Sequence, residues 1–223
     1  MRRAPRIGIF GGTFDPIHAG HLWAAEAVRS RFGLDRVLFV PSNIPPHKRR
    51  PSVAPARARL AMVDLAVRGR RGFEANSLEA RSRSTSYSVV TLAKIRKLYP
   101  GALLFFILGA DAFLEIKTWR EWRKVLDQCL LIVMTRPGTS LRTARAVLEP
   151  EFRSRMISLR RSTKIDPALE AGRSVFFLHL EALPVSSTEI RRRIREGCPI
   201  DGLVLDPVAA YISAGKLYQG QEP

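Results

Sequence analysis

Cysteine is scarce. The 223-residue chain has two, Cys129 and Cys198, too few for a disulfide framework and at no zinc-binding spacing. Inert thiols in a reducing compartment are the expectation. Long apolar runs are also missing: the longest, Ala102–Leu108, holds 7 residues, against the roughly 20 that a bilayer-spanning helix needs. Near the N-terminus, Ile7–Phe10 stops at Gly11-Gly12, far short of the roughly 7–15 apolar residues of a secretory leader. A cytoplasmic, unanchored chain with no membrane partner follows as the expectation. Acidic residues are outnumbered, 20 against 37 Lys and Arg, for a net charge of +17. Such a surplus invites a polyanion. It is mostly scattered arginine, however, with no run of about five or six basic residues. That pattern reads as a solvated surface, and a dedicated nucleic-acid site is not expected.

Three familiar signatures are absent as well. Without G-x-x-x-x-G-K-[ST] the chain is not a P-loop NTPase, and Gly8-Ile9-Phe10-Gly11-Gly12 lacks the G-x-G-x-x-G spacing of an ordinary Rossmann dehydrogenase. No Cys or H-E-x-x-H partner stands near His18 and His21, so no resident metal site is expected.

What is present is a globular composition, 46% hydrophobic and 26% charged, at a length that suits one domain over residues 1–223. Apolar runs of strand length alternate with segments of helical period. Arg6–Phe10, Arg36–Val40, Phe73–Leu78, Leu103–Leu108, Leu130–Met134 and Val175–Leu180 read as strands. Leu22, Ala25, Val28 and Phe32 recur at helical spacing up to a C-capping Gly33. Further helices are expected over Leu60–Val67, Val89–Leu98, Ser187–Glu196 and Pro207–Ala214, the last with Pro in its first turn. The five prolines of Pro41–Pro55 exclude regular structure there. Continuous apolar strands separated by helices require a parallel sheet covered on both faces, a doubly wound α/β fold. An Arg-rich stretch at about 139–173 reads as an insertion or helical excursion, with one helix near Thr143–Phe152. A small helical part at about 184–218 closes the chain.

The chemistry concentrates in Gly11-Gly12-Thr13-Phe14-Asp15-Pro16-Ile17-His18-Ala19-Gly20-His21, between the first strand and the first helix. Open α/β sheets bind ligands at the carboxyl ends of their strands. Glycines let backbone amides approach an anion, and a helix start near Gly20-His21 adds unpaired N–H groups and a positive dipole end. A phosphate is the natural guest, and His18 and His21, three residues apart, can donate to the same one.

This run resembles the first signature of the H-x-G-H nucleotidyltransferase superfamily, and Ser186-Ser187-Thr188-Glu189-Ile190-Arg191 resembles its second, S-S-T-x-[IL]-R. Pro45-Pro46-His47-Lys48, Leu108-Gly109-Ala110-Asp111, Trp119 and Thr135-Arg136-Pro137-Gly138 are similar to the bacterial nicotinate mononucleotide adenylyltransferases. The resemblance runs from Ile7 to about Leu217. It implies a Rossmann-like nucleotidyltransferase fold and transfer of the adenylyl group of ATP, with Mg²⁺, to nicotinate mononucleotide. The products would be deamido-NAD and pyrophosphate, in NAD biosynthesis.

The resemblance also implies roles. His18, His21 and Arg191 would be catalytic, and Gly11, Gly12, Thr13, Phe14, Gly109, Asp111, Arg136, Ser187 and Thr188 would hold ATP. Lys48, Ser88 and Trp119 would hold the mononucleotide, with Trp119 stacked on its pyridine ring and the Ser88 amide on its carboxylate. The family more often has Thr where Ser88 stands, a change that leaves a backbone contact intact.

The chemistry agrees with these roles. A phosphate monoester, with a second pKa of about 6, is mostly a dianion at neutral pH and attacks the α-phosphorus without a general base. The site then needs donors and cations that hold two polyanions in line. Other residue uses remain open: an N-cap for Asp111 or for Ser187-Thr188, a core position for Trp122, and a solvated face for Arg192, Arg193 and Arg195. Preference for nicotinamide mononucleotide and a basic nucleic-acid-binding protein are the alternative functions, and a homo-oligomer is left open.

Overall fold

The computed structural model describes residues 3–43, 54–82, 85–135, 143, 146–159, 175–181 and 183–220. Seven strands form one parallel sheet: β1 (Arg6–Gly12), β2 (Arg36–Pro41), β3 (Phe73–Ala75), β4 (Leu103–Gly109), β5 (Leu130–Thr135), β6 (Met156–Leu159) and β7 (Val175–His179). Their order is β3-β2-β1-β4-β5-β7-β6, and every pairing is parallel. β2 and β3 step away from β1 on one side and β4 joins it on the other. The winding therefore reverses between β1 and β4, where a crevice opens at the strand ends. The doubly wound expectation holds.

Side chains alternate across the sheet and feed two apolar layers. Ile7 and Ile9 of β1, with Leu104, Phe106 and Leu108 of β4, face α3 (Ser88–Leu98), α4 (Ala110–Leu114) and α5 (Trp122–Gln128). Phe10, Phe105 and Ile107 face the opposite layer, with α1 (Ala19–Phe32) and α2 (Ala56–Val67). α1 buries Leu22, Ala25, Val28 and Phe32 and ends at Gly33, whose φ of 58° and ψ of 43° are the left-handed cap that glycine adopts without a Cβ clash. Trp122 is core, 8% exposed.

Thr143 and Ala146 are helical, within the helix expected over 143–152, and after a break at 147–149 a separate short helix, α6 (Pro150–Arg153), follows. The Arg-rich stretch expected as an insertion or helical excursion also supplies β6, the outer strand beside β7. That corrects the expectation for residues 156–159, which belong to the sheet. Most of the remainder of 139–173 lies outside the described residues. At the other edge, β3 ends at Ala75, short of Leu78.

α7 (Ser187–Arg195) and α8 (Asp206–Ala214) return to the β1 side, where Ile190, Val208 and Ile212 join the core. The Ala19 N–H donates to the Leu203 carbonyl at 2.9 Å, tying the start of α1 to this C-terminal part. Among the described residues no helix is long and apolar enough to cross a membrane.

Candidate active site

Two clefts open at the switch point and share Gly109 and Asp111. The first, about 260 Å³, is lined by Phe10, His18, Gly20, His21 and Trp23 from β1 and α1, by Met134 and Thr135 from β5, and by Val185 before α7. The second, about 330 Å³, lies on the other side of Asp111 and is lined by Gly11, Gly12, Thr13, Ser86, Tyr87, Ser88, Trp119 and Arg120. Each has apolar walls and a few convergent polar groups, the make-up of a small-molecule site.

The first cleft is built around the start of α1. His18 is the N-cap, and its backbone N–H donates to His21 Nδ1 at 3.2 Å. An accepting Nδ1 carries no hydrogen, so the neutral His21 ring holds its proton on Nε2, the outer donor. The two imidazoles stack with centroids 3.7 Å apart, and Phe14 meets His21 edge-on at 5.0 Å. Gly20 permits this closeness: a Cβ there would lie 2.9 Å from Val185 Cγ1 and 3.1 Å from His18 Nδ1. At the end of β4, a Cβ on Gly109 would collide with Asp111 Oδ1. Glycine therefore leaves room for the Asp111 carboxylate between the clefts. Asp111 sits inside α4, whose N-cap is Gly109, so the N-cap alternative for Asp111 is corrected.

The loop between β1 and α1 is held from behind by a buried cluster that the sequence reading did not reach. Asp15, 6% exposed, accepts from the Tyr218 hydroxyl at 2.7 Å and from the Ala54 N–H at 3.2 Å. Arg59, 1% exposed, donates to the carbonyls of Thr13 at 2.6 Å, Ala54 at 3.0 Å and Asn43 at 3.3 Å. Burial lowers the Arg59 pKa and raises that of Tyr218, the latter with help from the Asp15 charge. From α7, the Ser187 hydroxyl donates to the Pro16 carbonyl at 2.9 Å and Arg191 Nη1 to the Asp15 carbonyl at 2.6 Å. Ser186 is the N-cap of α7, accepting from the Glu189 N–H at 3.2 Å, which corrects the cap alternative for Ser187-Thr188.

In the wall of the second cleft, Glu79 accepts from the Thr91 hydroxyl of α3 at 2.5 Å and is hydrogen-bonded to Ser86. The Ser86 hydroxyl accepts the Asn43 N–H at 3.1 Å. Burial raises the Glu79 pKa despite these bonds. Trp119 presents part of its ring to the cleft and is braced edge-on by Phe106 at 6.0 Å.

Most of the expected site residues thus come together. His18, His21, Gly109 and Asp111 line the first cleft; Gly11, Gly12, Thr13, Ser88 and Trp119 line the second. Phe14 does not line either. Its ring is 2% exposed and packs on Phe10, Phe39 and His21, so it supports the loop from below, a correction to its expected place against ATP. Ser187, Thr188 and Arg191 flank the loop at the start of α7 and also lie outside both cleft linings. Lys48 and Arg136 fall outside the described residues. Trp23, Glu79 and Arg120 were not singled out from the sequence, which carries no spacing signal for them; Thr135 opens the Thr135-Arg136-Pro137-Gly138 segment noted there and lines the first cleft.

Residues 9–193 match the cytidylyltransferase-like family. Probable nicotinate-nucleotide adenylyltransferases from Desulfatibacillum aliphaticivorans and Pelobacter propionicus are 41% and 40% identical to this chain. Both alignments cover 96% of it, and 99% and 98% of those proteins. The chain belongs to the nicotinate-nucleotide adenylyltransferase family. The family fold is matched too: a Plasmodium falciparum nicotinic acid mononucleotide adenylyltransferase, solved in complex with NaAD, superposes with a TM-score of 0.66 at 18% identity, over 96% of this chain and 97% of that one.

Proposed function

We propose that the protein transfers the adenylyl group of ATP to nicotinate mononucleotide, releasing pyrophosphate and forming deamido-NAD. The observation that carries this reading is the pair of clefts meeting at Gly109 and Asp111 beside the start of α1. Two nucleotides seated in them present their phosphates to one another at that junction.

ATP takes the first cleft. His21 Nε2, His18 and the Gly20 amide at the start of α1 donate to the α-phosphate and to the bridging oxygen that leaves with pyrophosphate. Asp111, between the clefts, accepts from ribose hydroxyls. Thr188 and the remaining donors of Ser187 and Arg191 take the β- and γ-phosphates, and the resemblance assigns Arg136 to ATP as well. Nicotinate mononucleotide takes the second cleft, its ring on Trp119, its carboxylate on the Ser88 amide and its phosphate near Gly11, Gly12 and Thr13; the resemblance assigns Lys48 to the same nucleotide.

The phosphate dianion attacks the α-phosphorus in line, the P–O bond to the β-phosphate breaks, and pyrophosphate departs with the electron pair. Catalysis is then positioning and charge stabilisation, with no covalent enzyme intermediate. Mg²⁺ arrives on ATP as part of the substrate, lending positive charge to the phosphates. A cation of this kind keeps waters and phosphate oxygens as most of its ligands. A cytoplasmic location goes with this reading.

The test is an assay of the purified protein with Mg-ATP and either nicotinate or nicotinamide mononucleotide, following both pyrophosphate and dinucleotide. Stoichiometric products with the acid are expected. No product with either substrate would overturn the reading.

A further inference from the structure

The loop between β1 and α1 is strained at Phe14, whose φ of 51° lies in the left-handed region that a side chain with a Cβ disfavours. Such a residue persists only where its neighbours over-determine it. On one side of Phe14, the Thr13 carbonyl accepts from Arg59; on the other, the Asp15 carbonyl accepts from Arg191. Arg59 is the more deeply enclosed of the two. It lies in α2, 1% exposed, where burial works against its charge. A buried cation is a weak source of stability, and an apolar side chain of similar volume seats a helix on a core as well or better. What a guanidinium adds is a rigid plane of donors. Each of its nitrogens serves a different segment: Nη1 the Thr13 carbonyl, Nη2 the Asn43 carbonyl after β2, and Nε the Ala54 carbonyl before α2.

Two of those segments reach the second cleft. Thr13 lines it directly. Asn43 reaches it through its N–H, which donates to the Ser86 hydroxyl at 3.1 Å, and Ser86 lines the cleft beside Tyr87 and Ser88. The Asn43 side-chain amide adds a bond to the Ser82 carbonyl at 2.5 Å, which fixes the same connection. We infer that Arg59 is a positioning residue for the mononucleotide: its fork holds Thr13 and, through Asn43, the wall at 86–88 at a fixed spacing, so that the second cleft is set before substrate arrives. This rests on the function proposed above.

The experiment is steady-state kinetics, each substrate varied in turn, on the wild type and on Arg59→Lys, which keeps the charge and loses the fork. KM for nicotinate mononucleotide is expected to rise about 10- to 100-fold, the scale of a misplaced binding group, with KM for ATP within about twofold of wild type. Ser86→Ala cuts the same connection at its far end and leaves the buried cation in place. It should raise the mononucleotide KM about threefold or more, and in the double variant the loss should be smaller than the product of the two single losses. An unchanged mononucleotide KM in Arg59→Lys, or an equal rise in both KM values, would overturn the inference by reducing Arg59 to a support of the fold. Losses that multiply in full would overturn it too, by separating Arg59 from the wall at 86–88. Should Arg59→Lys fail to fold, Ser86→Ala decides alone, and a wild-type mononucleotide KM in that variant would overturn the inference. Wild type inactive with Mg-ATP and either mononucleotide would instead sink the proposed function itself.

Discussion

The backbone N–H of His18 donates to Nδ1 of His21 at 3.2 Å while the two rings stack 3.7 Å apart. One hydrogen bond therefore caps a helix and sets the tautomer of the second imidazole, whose residue lines the cleft. Replacing His21 by Ala removes both the cap partner and the donor. Turnover should fall by about two to three orders of magnitude, the scale of one lost transition-state donor. His21→Asn separates the two roles, since its side-chain oxygen can still accept from His18. The Asn variant should recover thermal stability and not kcat; recovery of both would make His21 purely structural.

Trp119 is partly exposed and braced by Phe106, a geometry that leaves a ring face for a ligand. Trp119→Ala should raise KM for the mononucleotide by about tenfold or more, as expected for a lost aromatic stack. KM for ATP should stay put. Steady-state kinetics with each substrate varied in turn would show an equal rise for both if the indole merely held the fold.

Gly20 sits where Val185 and the His18 ring crowd the backbone, at 2.9 and 3.1 Å from a built Cβ. Gly20→Ala should force His18 and the segment before α7 apart. Alanine normally favours a helix over glycine by about 1 kcal/mol, so the expected combination is unusual: kcat lowered at least tenfold with thermal stability reduced rather than raised. A stabilised and fully active variant would contradict the packing.

The strands were legible because β1, β2, β4, β5 and β7 are buried over most of their length and read as apolar runs. β6 was not, since Met156-Ile157-Ser158-Leu159 is an edge strand with one buried residue among arginines. α4 and α5, of 5 and 7 residues, are too short for a periodicity to emerge. The same division runs through the site. Gly11–His21 and Gly109-Ala110-Asp111 are contiguous, so their spacing carries the chemistry. Arg59 and Tyr218 reach the same loop from 46 and 203 residues away, a proximity that only the folded chain creates.

Tyr218 and Asp15 form a buried pair at 2.7 Å. Tyr218→Phe deletes the hydroxyl and leaves a buried carboxylate short of a donor, at a cost of about 1–3 kcal/mol in a urea melt. Because Asp15 lies in the loop that carries His18, kcat should fall as well, by less than in His21→Ala. Unchanged stability would mean that water replaces the hydroxyl without loss.

Glu79 gives a dependence on pH whose sign is fixed by burial. Its pKa is raised in the folded state, so between its ordinary value and the raised one the native protein binds more proton than the unfolded chain. Stability contributed by this group is present at acidic pH and is lost as pH rises through that window. Glu79→Gln keeps an oxygen for Thr91 and Ser86 and carries no charge to bury. The melting temperature of the variant relative to wild type should therefore climb from acidic to neutral pH. A difference that stays flat across the range would show that Thr91 and Ser86 fully compensate the buried charge, and a difference of opposite slope would mean that the carboxylate is stabilised in the fold.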